Sequence, residues 1–390
     1  MKDFLPRTHF EEEHEMFRDM VRGFVEKEIT PNVERWHKEG MPDREVFKKA
    51  GELGLIGMST PEEYGGGGEM DFRYNQVLNE ELTNSDCGSI VVSFGTLNDL
   101  VAPYLAKFAS EELKQKYLAG MNAGDLIGCL AMTEPGAGSD LAQIRTFAKK
   151  DGDHYILNGS KTFISNGVLS DFALVVAITD PSKGRAGVSM FVVDSDLDGY
   201  TKTGPLKKVG LKAQDTAELH FENVRVPAEN LIGEEGAAFG YLRTNLAHER
   251  LTLAVGSVAT SRRAWTLAYN YAQERETFGK PLLHHQVHGH YLADMATRIT
   301  SLQAFVDQAV MAHNAGKLDE TGASMAKFLT TEEQQDIVTR CLQMFGGYGF
   351  MLEYPISTHY LDSKVQTIYG GTNEIMKEII SRRIGKGGAA

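Results

Sequence analysis

The sequence predicts an α+β protein, helical at both ends with a β-rich middle. Three observations carry that prediction. Up to about Met121 the apolar residues recur at helical spacings of three, four and seven. From about Cys129 to Phe221 the pattern changes to short runs rich in β-branched and aromatic residues, punctuated by Gly, Asn, Asp and Pro. After Ala228 proline almost vanishes, with only Pro281 and Pro355 against nine before, and long helical periods return. The expected domains are 1–127 (helical), 128–237 (β) and 238–390 (helical).

Each element follows from its local residues. Phe10, Phe17, Val21 and Phe24 mark one face of a first amphipathic helix, which Pro31 is expected to end. Asp43 is a plausible N-cap for a short second helix, closed by Gly51 or Gly54. The stretch 61–68, PEEYGGGG, reads as a loop, either a connection or a cradle for phosphate. Helical patterns resume from Asp71 to about Met121. The runs Tyr155–Leu157, Phe172–Ile178 and Val188–Val193 read as strands. Leu251, Val255, Val258, Arg262 and Trp265, spaced 4, 3, 4 and 3, read as a long helix. The tail GKGGAA is low in complexity.

Composition excludes several classes. Of 390 residues, 40 are Lys or Arg and 53 Asp or Glu, giving a formal charge of −13, which argues against a nucleic-acid binder. Cys87, Cys129 and Cys341 are odd in number and widely spaced, as expected of small apolar residues in a reducing compartment. No uninterrupted apolar run exceeds about seven residues, so no membrane span is expected. The N-terminal MKDFLPRTHFEEEHE has the character of neither a signal nor a transit peptide. The expected location is cytoplasmic, of bacterial type, with a mature mitochondrial-matrix form left open.

Several motifs carry chemistry. TEPGAGSD, Thr133–Asp140, follows an apolar run but lacks the third glycine of a dinucleotide fingerprint. A different cofactor loop stays open, since Thr133 and Ser139 offer hydroxyls and the glycines offer free amides. His284, His285, His288 and His290 include an i, i+4 pair, but no HExxH pattern or cysteine complements them, so no metal is expected. Glu249 shares a stripe with Leu242, Leu246 and Leu253. Desolvation there raises a carboxyl pKa toward neutrality, which suits a general base. The competing reading is a structural carboxylate paired with Arg243 or Arg250. Arg275, before a Thr-Phe-Gly turn, fits either a pyrophosphate or a surface ion pair. QMFGGYGF (343–350) and IYGGTNEI (368–375) each place paired glycines between helical stretches, for a ligand or for tight packing.

Taken in order, PEEYGG, AMTEPGAGSD, NGSKTFISNG, YAQERETFGKP, QMFGGYGF and IYGGTNEI resemble the acyl-CoA dehydrogenase family over nearly the whole chain. Within it, GLKAQDTAEL and IYGGTNEIMKE resemble the long-chain members most. The resemblance implies a helical N-terminal domain, a β-barrel-like middle domain and a C-terminal four-helix bundle. It implies FAD, lined by Leu130, Met132, Thr133, Gly138 and Ser139, with Phe163, Ile164 and Ser165 against the isoalloxazine. It assigns Arg275, Phe278, Gln286, Gln343, Gly346 and Gly347 to the adenylate and pyrophosphate, partly of a neighbouring subunit, and Thr372 and Glu374 to completing the site. Ser139, His248, Arg250 and Gly371 would touch the acyl-CoA.

Most members carry their catalytic glutamate where this chain has Gly370. The long-chain and isovaleryl branches place it in an E-R pair on an earlier helix, which matches Glu249-Arg250. Glu249 is then the α-proton acceptor and the Gly370 amide an oxyanion donor. The implied reaction converts a medium- to long-chain acyl-CoA to the trans-2-enoyl-CoA of fatty-acid β-oxidation. An electron-transfer flavoprotein is the implied acceptor and a homotetramer the implied assembly. Lys183 and Arg185 are candidates for the CoA phosphates. The alternatives are a branched-chain (isovaleryl- or citronellyl-type) dehydrogenase, an acyl-CoA oxidase, a flavin monooxygenase on the same fold, or a catalytically silent assembly subunit.

Overall fold

The computed structural model describes residues 1–385; of the tail GKGGAA, all but Gly385 lies outside them. Helix α1 (Glu12–Phe24) does not stop at Pro31. It runs through a π turn, Val25–Ile29, and a 3-10 turn, Thr30–Asn32, into α2 (Val33–Glu39). Pro31 sits in the first turn of that 3-10 segment, where its missing N–H costs nothing. The chain stops instead at Gly40, whose φ of +84° continues no helix. Helix α3 (Arg44–Glu52) follows Asp43, which has the extended backbone of a cap. Its carboxylate, however, accepts from Arg35 and from Trp36 Nε1 (3.0 Å). Gly51 lies within α3, and Gly54, at φ +68°, turns the chain away.

The glycine loop is neither an open cradle nor a loose connection. A Cβ at Gly66 would lie 2.2 Å from the Thr60 carbonyl oxygen, and one at Gly67 2.8 Å from that of Met58. These glycines let the loop pack on its own backbone. Helices α4 (Phe72–Thr83), α5 (Gly88–Gly95), α6 (Ala102–Phe108), α7 (Glu111–Leu113) and α8 (Ala119–Asn122) complete the first helical layer. An 18-residue window of the helical stretch Gly88–Phe108 is apolar enough by composition to cross a membrane, yet 67% of that window is buried inside the protein.

Seven strands form the middle: β1 (Gly128–Ala131), β2 (Phe147–Asp151), β3 (His154–Ile164), β4 (Phe172–Ile178), β5 (Val188–Asp194), β6 (Tyr200–Thr203) and β7 (Ala217–Pro227). The order is β1-β4-β2-β3-β7-β6, with β5 antiparallel to β4. Every strand contributes to one internal cluster that includes Ala131, Leu157, Val175, Phe191, Tyr200 and Leu219, so the sheet curls around its own core. On β4, Ala173, Val175 and Ala177 face that core, whereas Phe172, Leu174 and Val176 pack with the N-terminal helices. Burial on both faces explains why β4 and β5 are apolar without alternation.

Beyond the sheet come three long helices, α9 (Ala238–Glu274), α10 (Gln286–Asn314) and α11 (Glu320–Met344). Between α9 and α10 lies a two-strand hairpin, β8 (Glu276–Thr277) and β9 (Lys280–Pro281). The shorter α12 (Pro355–Ser363) and α13 (Asn373–Gly385) pack on α11 and close the bundle. The core of the bundle includes Phe72 of α4, which joins the two helical layers. Ion pairs also cross between them: Arg263 holds Asp86 at 2.6 Å, and Arg7 bridges Glu80 (2.7 Å) and Asp307 (2.8 Å).

Candidate active site

The site begins on α9. Leu242, Leu246, Glu249 and Leu253 share one face of this helix, and Glu249 keeps partial solvent contact amid dense surroundings. Its Oε1 accepts from the Tyr104 hydroxyl (2.8 Å) and from Asn245 Nδ2 (2.9 Å). Among the described residues Glu249 makes no ion pair. Arg250 instead donates to Ser324 (3.1 Å) and Glu320 (3.3 Å) on α11, and Arg243 is exposed. The structural-carboxylate reading therefore lacks its partner. Burial raises the Glu249 carboxyl above its usual range, and the two hydrogen bonds pull the other way.

The second part is the turn that leads into α13. Gly370 has φ +63°, and a Cβ there would lie 2.4 Å from Leu253 Cδ1, so the turn packs on α9 one helical turn beyond Glu249. Gly371, at φ +91°, is fixed by Lys327 of α11, whose Nζ donates to its carbonyl (2.8 Å) and to Asn373 Oδ1 (2.9 Å). Burial pushes the Lys327 ammonium down to about 8. Thr372 Oγ1 accepts from the Ile375 amide (3.3 Å), and Glu374 stands in the first turn of α13. The Gly370 N–H has no protein acceptor among the described residues.

The third part lies on the curled sheet. The Thr162 amide donates to the Thr133 carbonyl (3.0 Å), which joins the TEPGAGSD loop to the FIS segment. Below them Lys161 Nζ donates to Glu134 (2.7 Å) and to the Met132 carbonyl (3.1 Å). Glu134 also accepts from the amides of Arg145 (2.6 Å) and Thr146 (3.0 Å). Burial alone would raise the Glu134 carboxyl; Lys161 and the amides hold it below its usual range. A register shift between Lys161 and Ile164 turns Phe163 outward at φ +59°, leaving it 69% exposed while Ile164 is buried. Such a conformation in an exposed aromatic residue is strained, and strain of this kind concentrates at ligand clamps and active sites. Leu130 and Met132 are half-buried, and the hydroxyls of Thr133, Ser139 and Ser165 have no protein partner among the described residues. A Cβ at Gly136 or Gly138 would meet nothing within 4 Å, and neither has positive φ. Nothing among the described residues demands glycine there, whereas close approach by a ligand would.

A fourth cluster lies at the far end of the bundle. The β8–β9 hairpin holds Phe278 98% exposed at φ +50°. The Arg275 guanidinium lies 5.9 Å from the centre of the Tyr348 ring, and Tyr271 stacks on Phe345 at 4.2 Å, tying this hairpin to the FGGYGF turn. Gln286 and Gln343 are exposed beside it, and Gly347, like Gly138, is free of both steric and φ demands. No hydrogen bond among the described residues links this cluster to the Phe163 face. The four histidines form no metal-binding group among the described residues; His285 Nε2 lies 3.0 Å from the Thr277 carbonyl.

Two expected substrate contacts are engaged elsewhere. His248 Nε2 lies 2.8 Å from Asp99 Oδ1, and its ring is edge-on to Phe72; Arg250 is buried against α11. Lys183 pairs with Asp180 (3.1 Å), while Arg185 lies over Phe239 at 5.8 Å. The sequence reading missed Tyr104, Asn245, Lys327 and Glu134. Asn245, four residues before Glu249 on one helix, carried a readable signal. Tyr104, 145 residues away, carried none.

Known proteins match along nearly the whole chain. The models of the acyl-CoA dehydrogenase N-terminal, middle and C-terminal domains cover residues 11–125, 129–224 and 236–385. The long-chain specific acyl-CoA dehydrogenase of Sus scrofa mitochondria is 45% identical over 380 residues, covering 97% of this chain and 88% of that protein. The crystal structure of an acyl-CoA dehydrogenase from Geobacillus kaustophilus matches with a TM-score of 0.94 and 45% identity, covering 97% and 99% of the two chains. A glutaryl-CoA dehydrogenase from Mycobacterium smegmatis in complex with FADH2 matches with a TM-score of 0.88 and 30% identity, covering 96% and 95%. The open glycine cradle, the free hydroxyls and the outturned Phe163 fit a flavin. The chain belongs to the acyl-CoA dehydrogenase family of FAD-dependent oxidoreductases.

Proposed function

We propose that the protein dehydrogenates a medium- to long-chain acyl-CoA between its α and β carbons, as a step of fatty-acid β-oxidation, with Glu249 as the base. One observation carries the assignment. Glu249 is a desolvated carboxylate with no ion pair among the described residues, one helical turn from the Leu253–Gly370 contact. Gly370 itself has no group to take a proton. The preference for longer chains rests on the likeness to the long-chain enzyme.

When bound, FAD supplies the acceptor for a hydride. Thr133, Ser139, Ser165 and the TEPGAGSD amides would hold its ring system, with Phe163 packed against it. Arg275, Phe278, Gln286, Gln343, Gly346 and Gly347 would serve the adenylate end of a partner subunit's cofactor, within a homotetramer. The Gly370 N–H donates to the thioester oxygen and stabilises the charge that builds there as the α-proton leaves. Glu249 accepts that proton, and a hydride leaves the β-carbon. Leu246 and Leu253 flank the base on its helix face and reduce its contact with water, which makes the carboxylate a stronger base. Electrons then pass to an electron-transfer flavoprotein.

The test is anaerobic. Glu249→Gln keeps the side chain's shape and its FAD, but acyl-CoA should no longer bleach the flavin, with a loss of about 10³-fold or more in reduction rate. Normal bleaching in that variant overturns the assignment. A scan of straight and branched acyl chains by the same assay settles the substrate, and a colourless protein would favour the silent-subunit reading.

A further inference from the structure

The two hydrogen bonds to Glu249 fall on the same oxygen, and their origin lies in a helix break. The chain from Gly88 to Phe108 contains a π turn, Thr96–Val101, followed by Pro103. Pro103 has no N–H to give the Asp99 carbonyl four residues back. Asn245 Nδ2 fills that role from α9, donating to Asp99 O at 2.6 Å. The same nitrogen donates its other hydrogen to Glu249 Oε1. Because both acceptors are oxygens, only the NH2 end of the Asn245 amide fits there. Tyr104, next after Pro103 and 1% exposed, donates to that oxygen as well. One carboxylate oxygen is thus held by two donors on two different helices, and no hydrogen bond among the described residues falls on Oε2.

We propose that Tyr104 and Asn245 are positioning residues that clamp Glu249 Oε1 and reserve Oε2 for the α-proton. The proposal rests on Glu249 being the base and specifies which of its oxygens works. A carboxylate free to spin about its last bond presents the accepting lone pair only part of the time; two donors on one oxygen remove that freedom. The same donors favour the ionised form, against the burial that raises the Glu249 carboxyl. Tyr104 remains a donor throughout the working range, because burial and the neighbouring Glu249 hold its hydroxyl far above its usual titration.

Other titratable groups stand around the base on each packed element. On α9 itself are His248 and Arg250. On the π turn is Asp99, engaged with His248 (2.8 Å) and with Asn75 Nδ2 (2.5 Å). On α10 is His313, which burial pushes down to about 4, so it stays neutral. On α11 are Glu320, held by Arg250, and Lys327, held on Gly371 and Asn373. None of these hydrogen-bonds to Glu249, so loss of the Tyr104 donor acts on the base directly.

The experiment follows the rate of anaerobic flavin reduction by a saturating acyl-CoA in the holoenzyme across pH. Tyr104→Phe removes the donor and keeps the ring. Its acid limb should move up by about one pH unit, the size expected for one hydrogen bond to a charged oxygen, with activity recovering toward the wild-type plateau at higher pH. Replacing Tyr104 with 3,5-difluorotyrosine, a stronger donor of nearly the same shape, should move the limb down. Should the phenylalanine variant fail to fold, the fluorinated protein alone decides. Limbs that coincide with wild type, in proteins with full flavin content, overturn the clamp. Glu249→Gln is run beside them. If it is inert while the Tyr104 profiles are unshifted, only the clamp falls; if it bleaches normally, the base assignment and the clamp fall together.

Discussion

At the scale of single residues, Gly370 shows how one position governs where a base can sit. Its φ of +63° favours glycine, and its absent Cβ leaves space for Leu253 Cδ1, 2.4 Å from where that atom would stand. Alanine at 370 costs about 1 kcal/mol from the left-handed backbone and displaces the tip of Leu253, one helical turn from Glu249. The displaced group is the flexible end of a side chain, so the fold survives. Gly370→Ala should therefore retain FAD but slow flavin reduction, by about tenfold if the thioester is misplaced by a few tenths of an ångström. Stopped-flow reduction of the holoenzyme checks this. A carboxylate moved to 370 meets the same obstruction. In a Glu249→Gly background, Gly370→Glu should restore reduction only weakly, and better once Leu253→Ala makes room. Equal recovery with and without Leu253 would show that the contact does not constrain the base.

At the scale of elements, the site depends on interruptions of regular structure. The π turn at Thr96–Val101 with Pro103 sends Asn245 to Asp99, and the shift between Lys161 and Ile164 turns Phe163 out of its strand. A strained, exposed aromatic residue is costly to the protein without its cofactor. Phe163→Asn, whose side chain tolerates the left-handed region, should stabilise the flavin-free protein by up to about 1 kcal/mol while FAD dissociates faster. Thermal unfolding of the apoprotein and flavin release from the holoprotein should thus change in opposite senses. These same interruptions mark what a single sequence conceals. The α–β–α order and the stripe around Glu249 were legible because burial imposes a period on neighbours in the chain, and the strands Phe172–Ile178 and Val188–Val193 because burial on both faces makes a short continuous apolar run. Pro31 misled because a proline ends a helix only if the next turn needs its N–H, and a 3-10 turn that starts there does not. Tyr104 and Lys327 stayed hidden because their partners, Glu249 and Gly371, lie far off in sequence. The protein partners of His248 and Arg250, Asp99 and Ser324, stayed hidden for the same reason, lying 149 and 74 residues away.

At the scale of the whole molecule, two opposed sets of carboxylates, one half-buried and one buried, shape the response to acid. Asp86, between Arg263 and His359 (2.6 and 2.7 Å), and Glu80, under Arg7 and Arg18 (2.7 and 2.9 Å), tie the two helical layers together. Burial alone would raise both; their cationic partners hold each down to about 2. Their stabilisation is complete above the unfolded-state values near 4 and is lost as pH falls from there toward about 2. Asp215 and Asp362 behave oppositely. Burial pushes each up to about 6, so the folded protein takes up their protons first, and their effect on stability improves as pH falls from about 6 to 4. Stability should therefore rise gently from pH 7 to about 5 and drop steeply below about 4. Asp86→Asn separates the two sets, since asparagine tolerates the φ of +59° at that position. The first urea transition of Asp86→Asn should be weaker by about 2 kcal/mol at pH 7, and the deficit against wild type should shrink as pH approaches 3. A deficit that stays constant from pH 7 to 3 would mean that Asp86 acts through packing and not through its charge.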